Sequence, residues 1–274
     1  MVIGVVAPFM PNGGASTVAE LIALEIAYRN KKVCLTHSLT KSNCLYNAFG
    51  IKVDKKVDKG MDASKIVEMF KSGAARPDDI NILCKKVTET FDVFSLNDVK
   101  VKPEGRNIVL EYVTQHFPHQ YVVVDVDDHD LNSESNQIVF RNCDVVVIVL
   151  HQVDKDLLQF KNNVDKTMIS IGTVPQVAVI NKYVELLGTV QETSSAAGFV
   201  QPFKWCSIHY NQYIGFASNF SKMVPLYDKI VAKDARVAEL NGEMKALVSR
   251  LMKVKVAKQR AKVEASYVTQ GRKC

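Results

Sequence analysis

Residues 2–27 read VIGVVAPFMPNGGASTVAELIALEIA, and this stretch decides the fold. It opens with an apolar, β-branched run over 2–7, which predicts a buried strand. A loop rich in Pro and Gly follows, and the apolar pattern after it predicts a helix over 16–30. Many α/β proteins hold phosphate groups at such a strand-to-helix turn. The glycines let the backbone curl around the anion, and the helix N-terminus presents N–H groups to it.

The rest of the chain repeats the strand–helix alternation. The strand candidates are apolar along their whole length, which indicates a parallel sheet with helices on both faces. We therefore predict a doubly wound α/β fold with a mostly parallel sheet, whose ligand site lies at the carboxyl ends of the strands. The further predicted strands are 32–36, 91–95, 121–126, 144–150, 176–181 and 204–208, and the further predicted helices are 62–72, 105–116, 132–141, 153–171 and 183–197.

Composition narrows the class of protein. The 274 residues are 47% hydrophobic, which suffices for a sizeable core, and no apolar run has the length of a membrane span. The apolar N-terminus lacks a basic segment, so we interpret it as the first strand and not as a signal peptide. The six cysteines are scattered without a Cys-x-x-Cys pair, and His116 and His119 have no Cys/His pair near them in sequence. This spacing predicts free thiols in a cytoplasmic protein and no zinc site.

The loop carries a resemblance to a known family. Gly14-Ala15-Ser16-Thr17 and the apolar helix after it resemble the phosphate loop and first helix of the ParA/MinD superfamily, the deviant Walker A class. In that family one lysine opens the loop and another follows its last glycine, and here Met10 and Ala15 stand at those positions. Pro11 and Asn12 replace the two leading glycines. The Gly-Ala-Ser-Thr form is similar to that of the TadZ/CpaE pilus-localisation proteins, a divergent branch.

The resemblance implies a nucleotide site built from the loop and from three later strand ends. ATP would lie against the loop, with Mg²⁺ held by Ser16 and, through water, by Asp125. Asn181 stands where the family reads the adenine edge, and Tyr210 stands where the family lines the base pocket. The implied nucleotide-binding residues are Asn12, Gly13, Gly14, Ala15, Ser16, Thr17, Asn181 and Tyr210.

The same resemblance indicates a weakened site. The missing lysines remove positive charge that stabilises the transferred phosphoryl group, which costs roughly 100-fold or more in rate. His37 stands where relatives carry an aspartate, and His209 stands where they carry a proline. We therefore assign no catalytic residue. Two other interpretations stay open: an ordinary strand-to-helix turn with Ser16 as the N-cap, and an atypical, active Mg²⁺-dependent ATPase.

The C-terminal segment differs from the rest in charge. Residues 229–274 carry 12 Lys/Arg and 4 Asp/Glu, a net charge of +8, within a chain whose total is +6. We predict an α/β domain over 1–228 and a basic, heptad-patterned helix and tail over 229–274. Its apolar seam packs on the chain's own body, pairs with a second copy or partner helix, or lies on an acidic membrane surface. The seam residues are Val237, Leu240, Met244, Leu247, Leu251 and Val254.

These features together predict a ParA/MinD-like positioning or assembly protein that does not hydrolyse nucleotide. The expected form is a homodimer that serves a secretion, pilus, conjugation or partition apparatus, in the cytoplasm or at the membrane periphery. ATP and Mg²⁺ are the expected cofactors. The alternatives are the active ATPase and a DNA-binding partition factor, since the basic tail also suits DNA or an acidic membrane surface.

Overall fold

The computed structural model describes residues 1–10, 13–38, 44–52, 63–74, 76, 84–95, 103–126, 130–198 and 204–270, and it describes only the backbone of residues 44, 63–66, 103–104, 204 and 255–270. Eight strands lie in this part of the chain. They are β1 (Val2–Val6), β2 (Val33–His37), β3 (Lys85–Lys86), β4 (Phe91–Val93), β5 (Tyr121–Asp125), β6 (Val145–Leu150), β7 (Gln176–Tyr183) and β8 (Lys204–His209).

The strands form one sheet in the order β3-β4-β2-β5-β1-β6-β7-β8. Every pair is parallel except the short antiparallel pair of β3 and β4 at one edge. The strand β1 lies between β5 and β6, so the loop that follows it opens at the middle of the sheet's carboxyl edge. The predicted α/β fold with a mostly parallel sheet is confirmed.

Helices connect the strands and cover the sheet. They are α1 (Ala15–Tyr28), α2 (Cys44–Ala48), α3 (Ala63–Lys71), α4 (Pro103–His116), α5 (Glu134–Asn142), α6 (Asp154–Asn162), α7 (Val164–Ile171), α8 (Val190–Ala196), α9 (Gln212–Asn219), α10 (Met223–Val231) and α11 (Ala238–Gln270). The helix α1 is buried at every position over 18–27 because it lies between the sheet and the helices α9, α10 and α11. This placement explains why its sequence is apolar nearly all round.

Several predicted bounds differ from the observed ones. The predicted helix 153–171 is divided at Asn163, whose backbone (φ −123°) leaves the helical region between α6 and α7. The predicted helix 183–197 starts later, at Val190, because β7 continues to Tyr183 through a bulge and a 3₁₀ turn over Glu185–Leu187 follows. The edge strand β3 was not predicted, since two lysines give no apolar signal.

The C-terminal helix packs on the chain's own body. The seam residues from Val237 to Leu251 are at most 3% exposed, and α11 contacts α1, α10 and β8. Polar contacts fix the docking, since the guanidinium of Arg29 donates to Ser249 Oγ and to the Lys245 carbonyl. Through Leu251, the seam is therefore occupied within the chain. The predicted domain boundary at 228 falls inside α10.

None of the helices in the described part of the chain combines the length and apolar composition that crossing a bilayer requires.

Candidate functional site

The loop after β1 folds back on itself. The Met10 N–H donates to the Ala7 carbonyl (3.2 Å), and the Gly13 N–H donates to the Met10 carbonyl (2.8 Å). The turn needs a left-handed backbone at Phe9 (φ 59°), an uncommon conformation for a bulky residue. Met10 is completely buried in the core. The position at which the ParA/MinD resemblance calls for a lysine therefore points into the protein.

Two glycines allow the loop to pack tightly. Gly14 has a left-handed backbone (φ 87°), and a Cβ atom there would lie 2.2 Å from Asn181 Nδ2. A Cβ atom on Gly13 would lie 2.7 Å from the Cβ of Ala7. These distances exclude any larger residue unless the loop moves. The glycines are therefore needed for contact with the chain's own strands as well as for a turn.

Asn181 connects the end of β7 to the loop. Its side chain is buried, and its Nδ2 donates to the Gly13 carbonyl over 3.0 Å. The sequence resemblance placed this amide at the adenine edge, and here one of its hydrogen atoms is used by the loop backbone. This hydrogen bond fixes the loop to the end of β7, although the two bonded residues are 168 positions apart in sequence.

The helix α1 begins directly after the loop. Gly14 is its N-cap, and no side chain makes a capping hydrogen bond there. The alternative in which Ser16 acts as the N-cap is therefore wrong, because Ser16 lies one residue inside the helix. Ala15, Ser16 and Thr17 are half-buried in the first turn. A helix start without a side-chain cap is a favourable place for an anion.

Asp125 ends β5 beside the loop strand, since its register partners are Val5 of β1 and His37 of β2. A carboxyl group that the sequence reasoning missed lies near it. Glu20, on the second turn of α1, is 1% exposed, and its Oε2 atom has no hydrogen-bond partner. Burial, and after it the charge of Asp125, raises the pKa of Glu20 to about 8, while a hydrogen bond from Ser218 opposes the shift. Glu20 is consequently protonated at neutral pH.

His37 occupies the carboxyl end of β2. Its Nε2 lies 2.8 Å from Ser95 Oγ, and burial lowers the pKa of the ring to about 4. The imidazole is therefore neutral at physiological pH and adds no positive charge to the site. Its role in the structure is a buried hydrogen bond between β2 and the end of β4.

The end of β8 is directed toward the C-terminal helix. His209 Nδ1 lies 2.6 Å from Glu243 Oε1, and the His209 N–H donates to Glu243 Oε2. The proline-to-histidine departure at this position thus provides a contact with α11. Tyr210 follows and is 62% exposed, with its N–H bonded to the Tyr183 carbonyl. Asn12, the remaining predicted nucleotide ligand, lies outside the described residues.

The structure thus brings together Gly13, Gly14 and Asn181, and it places Asp125 beside the helix that carries Ser16. A carboxylate and a hydroxyl are ligands that suit Mg²⁺. For the phosphates, the helix start is suitable, whereas the Gly13 N–H and an Asn181 donor are already used inside the protein. The sequence signal for the missed Glu20 was a carboxylate inside an apolar helical run.

Comparison with known proteins shows which solved structures have a similar fold. No sequence model of a protein family matches the chain, and no curated protein matches it in sequence. The MinC:MinD cell division protein complex of Aquifex aeolicus matches with a TM-score of 0.66 at 15% identity, over 92% of this chain and 95% of that chain. A ParA family ATPase from Chlorobium tepidum matches with a TM-score of 0.64 at 13% identity, over 87% of this chain and 95% of that chain.

A third solved structure contains a nucleotide. The septum site-determining protein MinD of Pyrococcus horikoshii, complexed with Mg-ADP, matches with a TM-score of 0.63 at 12% identity, over 93% of this chain and 98% of that chain. Identities this low concern the fold and not the chemistry. The chain has the fold of the ParA and MinD proteins.

Proposed function

We propose that this chain is a ParA/MinD-like positioning or assembly protein that does not hydrolyse nucleotide. The burial of Met10 carries the proposal. A residue with no exposed surface, at the position of the signature lysine, cannot deliver charge to a phosphate. The second lysine position, Ala15, has no charge either. The likeness to partition and cell-division proteins in fold supports a positioning role.

The energetics favour the loss of turnover. Phosphoryl transfer depends on fixed positive charge that stabilises the transition state, and one such interaction contributes roughly 3–4 kcal/mol. On the second turn of α1, the described side chains near Asp125 include a further carboxyl group, Glu20. A protonated acid close to the loop does not replace a lysine.

We propose weak binding of ATP with Mg²⁺ at this site. The backbone at the start of α1 would face the phosphates, and Ser16 and Asp125 would hold the ion. The bound Mg-ADP of the Pyrococcus horikoshii structure supports this assignment by analogy of fold. The degenerate loop is also the feature by which we relate this chain to the TadZ/CpaE branch.

The first prediction concerns nucleotide affinity. In a titration with a fluorescent ATP analogue and Mg²⁺, we expect the wild-type protein to bind only at roughly millimolar concentration. Ala15→Lys is expected to bind about 10- to 100-fold more tightly, because a charged donor strengthens a hydrogen bond to phosphate by roughly 1.5–3 kcal/mol. Ala196→Lys adds the same charge at an exposed position of α8 and is expected to change nothing. Micromolar affinity in the wild type would contradict the proposal.

An active Mg²⁺-dependent ATPase is the second candidate function. The observations that favour it are the start of α1, which no side chain caps, and Asp125, which ends β5 beside β1. For turnover, this candidate requires a cation from elsewhere in the chain or from a second copy.

We also keep the DNA-binding partition factor as a candidate, because residues 255–273 carry the basic charge beyond the seam. Binding of that kind weakens steeply with salt.

We further propose that the protein is a homodimer and that it docks onto a protein of a larger apparatus. An exposed aromatic pair at the C-terminal end of α9 supports an interface. Phe216 and Phe220 are 56% and 59% exposed, and their rings stack with centroids 4.5 Å apart. Large aromatic side chains are enriched in protein interfaces and are costly to leave in water. We assign this surface to the second copy of the chain.

Light scattering on the full chain tests this prediction, because it measures the mass of the protein in solution. The wild type is expected to have the mass of two chains, and the double variant Phe216→Ser/Phe220→Ser the mass of one. Leu186→Ser is the matched control, because Leu186 is 97% exposed on the 3₁₀ turn and lies outside the aromatic pair. A wild-type monomer, or a double variant that stays dimeric, would refute the assignment.

A further inference from the structure

Three residues that are far apart in sequence meet near the amino ends of β2 and β5, at the end of the sheet opposite the loop after β1. They are Cys34, Cys84 and His119, and one ligand atom of each lies within 4.8 Å of the others. All three side chains are buried. Sequence spacing had predicted no zinc site, because the cysteines form no Cys-x-x-Cys pair and His116 and His119 have no Cys/His pair near them in sequence. The fold supplies the neighbours that the spacing lacks.

Strand order explains the meeting. Cys34 is the second residue of β2, and β2 lies between β4 and β5 in the sheet. Cys84 directly precedes β3, which pairs with β4 on one side of β2. His119 precedes β5 on the other side. The cluster therefore joins three segments near the amino ends of β2 and β5, away from the loop after β1.

A carboxylate orients the histidine. His119 Nε2 lies 2.8 Å from Asp92 Oδ2, and Asp92 is the register partner of Cys34 in β4. Because a carboxylate accepts hydrogen bonds, the Nε2 atom carries the proton and Nδ1 carries a lone pair. The Nδ1 atom is buried and has no hydrogen-bond partner. A buried acceptor without a partner is rare and energetically unfavourable, so this atom calls for a ligand.

We propose that Cys34, Cys84 and His119 bind a zinc ion, with Asp92 as the positioning residue behind the histidine. Two thiolates and one imidazole are a donor set that zinc prefers, and a carboxylate on the far nitrogen is the usual support of a zinc-bound histidine. Both thiols lose their protons to solvent when the metal binds. The ion joins the edge pair of β3 and β4 to β2 and β5.

A cavity beside the cluster leaves room for a fourth ligand. A cavity of about 280 Å³ adjoins the cluster, and Cys84, Asp92 and His119 form part of its wall. Lys32, Lys86 and Glu89 form most of the remainder. Zinc sites with three protein ligands complete their tetrahedron with water, and this cavity gives water access to the ion.

Cobalt provides a visible test. The full chain is reduced, treated with a chelator and titrated with Co²⁺, which takes the place of zinc. We expect one ion per chain and a thiolate-to-cobalt charge-transfer band that zinc abolishes by displacement. Cys84→Ser and His119→Gln are expected to lose the band. Asp92→Asn is expected to bind roughly 10- to 100-fold more weakly, as is usual for a lost support of a metal ligand. Cys206→Ser, in β8 at the opposite edge of the sheet, is expected to bind normally.

Two results would overturn the proposal. In the first, the wild type gives no charge-transfer band, or Cys84→Ser gives the same band as the wild type. In the second, Cys34 and Cys84 form a redox pair. The unreduced, unfolded chain then shows four reactive thiols although it has six cysteines, and metal does not bind after reduction. If a ligand variant fails to fold, the wild-type melting temperature decides. Zinc at roughly 100 times its Kd is expected to raise it by several degrees, and an unchanged value refutes binding.

Discussion

Met10→Lys is expected to remove a large part of the protein's free energy of unfolding. Met10 has no exposed surface, and its backbone is fixed by the hydrogen bonds of the Ala7–Gly13 turn. An ammonium group at this place would lie in the core without a paired charge. The cost is about 4–5 kcal/mol, which is a large part of the 5–15 kcal/mol that stabilises a typical domain. Denaturant unfolding followed by circular dichroism measures the loss.

Met10→Leu is the control for this substitution. It keeps the volume of the side chain and introduces no charge, so its expected cost is below about 1.5 kcal/mol. Ala15→Lys places the same charge five residues later, at a half-buried position, and is expected to leave stability nearly unchanged. A stable Met10→Lys protein that gains nucleotide affinity would show that the loop opens readily, and it would contradict a closed loop.

Glu20→Gln is expected to remove most of the loss of stability that the wild type shows as pH rises from about 6.5 to 8. Burial, with the charge of Asp125, raises the pKa of Glu20 to about 8 in the folded protein, whereas an exposed glutamate has a pKa of 4.5. The folded state therefore binds more protons than the unfolded state between these values. As pH rises through this window, the wild type loses stability, by roughly 5 kcal/mol in total. Glutamine does not ionise and avoids the loss.

The measurement is the free energy of unfolding at several pH values for wild type and variants. Above pH 8 we expect Glu20→Gln to be the more stable protein. Asp125→Asn removes a charge that helps to raise the pKa of Glu20, so the decline is expected to be smaller and to end at lower pH. Glu185→Gln, at an exposed position, is expected to follow the wild-type curve. A wild-type curve that stays level from about pH 6.5 to 8 would mean that Glu20 is already ionised when folded.

Much of the fold was predictable from sequence because its strands are buried on both faces. Runs such as residues 121–126 and 144–150 are apolar without interruption, and they became β5 and β6 at the centre of the sheet. Elements that depend on tertiary contacts were not predictable. The strand β3 consists of two lysines and exists through its pairing with β4. The division of the predicted helix 153–171 depends on the backbone of one residue, Asn163.

The candidate site was predictable by position and less so by contact. The glycines, Ser16, Asp125 and Asn181 stand at strand ends and in the loop, where a parallel sheet collects its ligands. The direction of Met10 and the bond from Asn181 to Gly13 depend on the folded loop. The proximity of Glu20 to Asp125, and of Cys34 to Cys84 and His119, joins segments distant in sequence. A local sequence pattern cannot predict contacts of this kind.

The basic helix shows how one pattern serves different structures. Its heptad spacing fits a coiled coil, a membrane surface or packing within the chain. The contacts of Arg29 with Lys245 and Ser249, and of His209 with Glu243, fix the third alternative for the described side chains of α11. A partner of this helix would therefore meet its charged outer face or the residues beyond Val254.

Phosphate release from ATP by the full chain, with Mg²⁺ present, tests the central claim most directly. We expect the wild type to release phosphate no faster than Asp125→Asn, which lacks the carboxylate that would help to hold the ion. Release that exceeds this background, and that Asp125→Asn abolishes, would contradict the claim that the closed loop with Met10 in the core has ended hydrolysis.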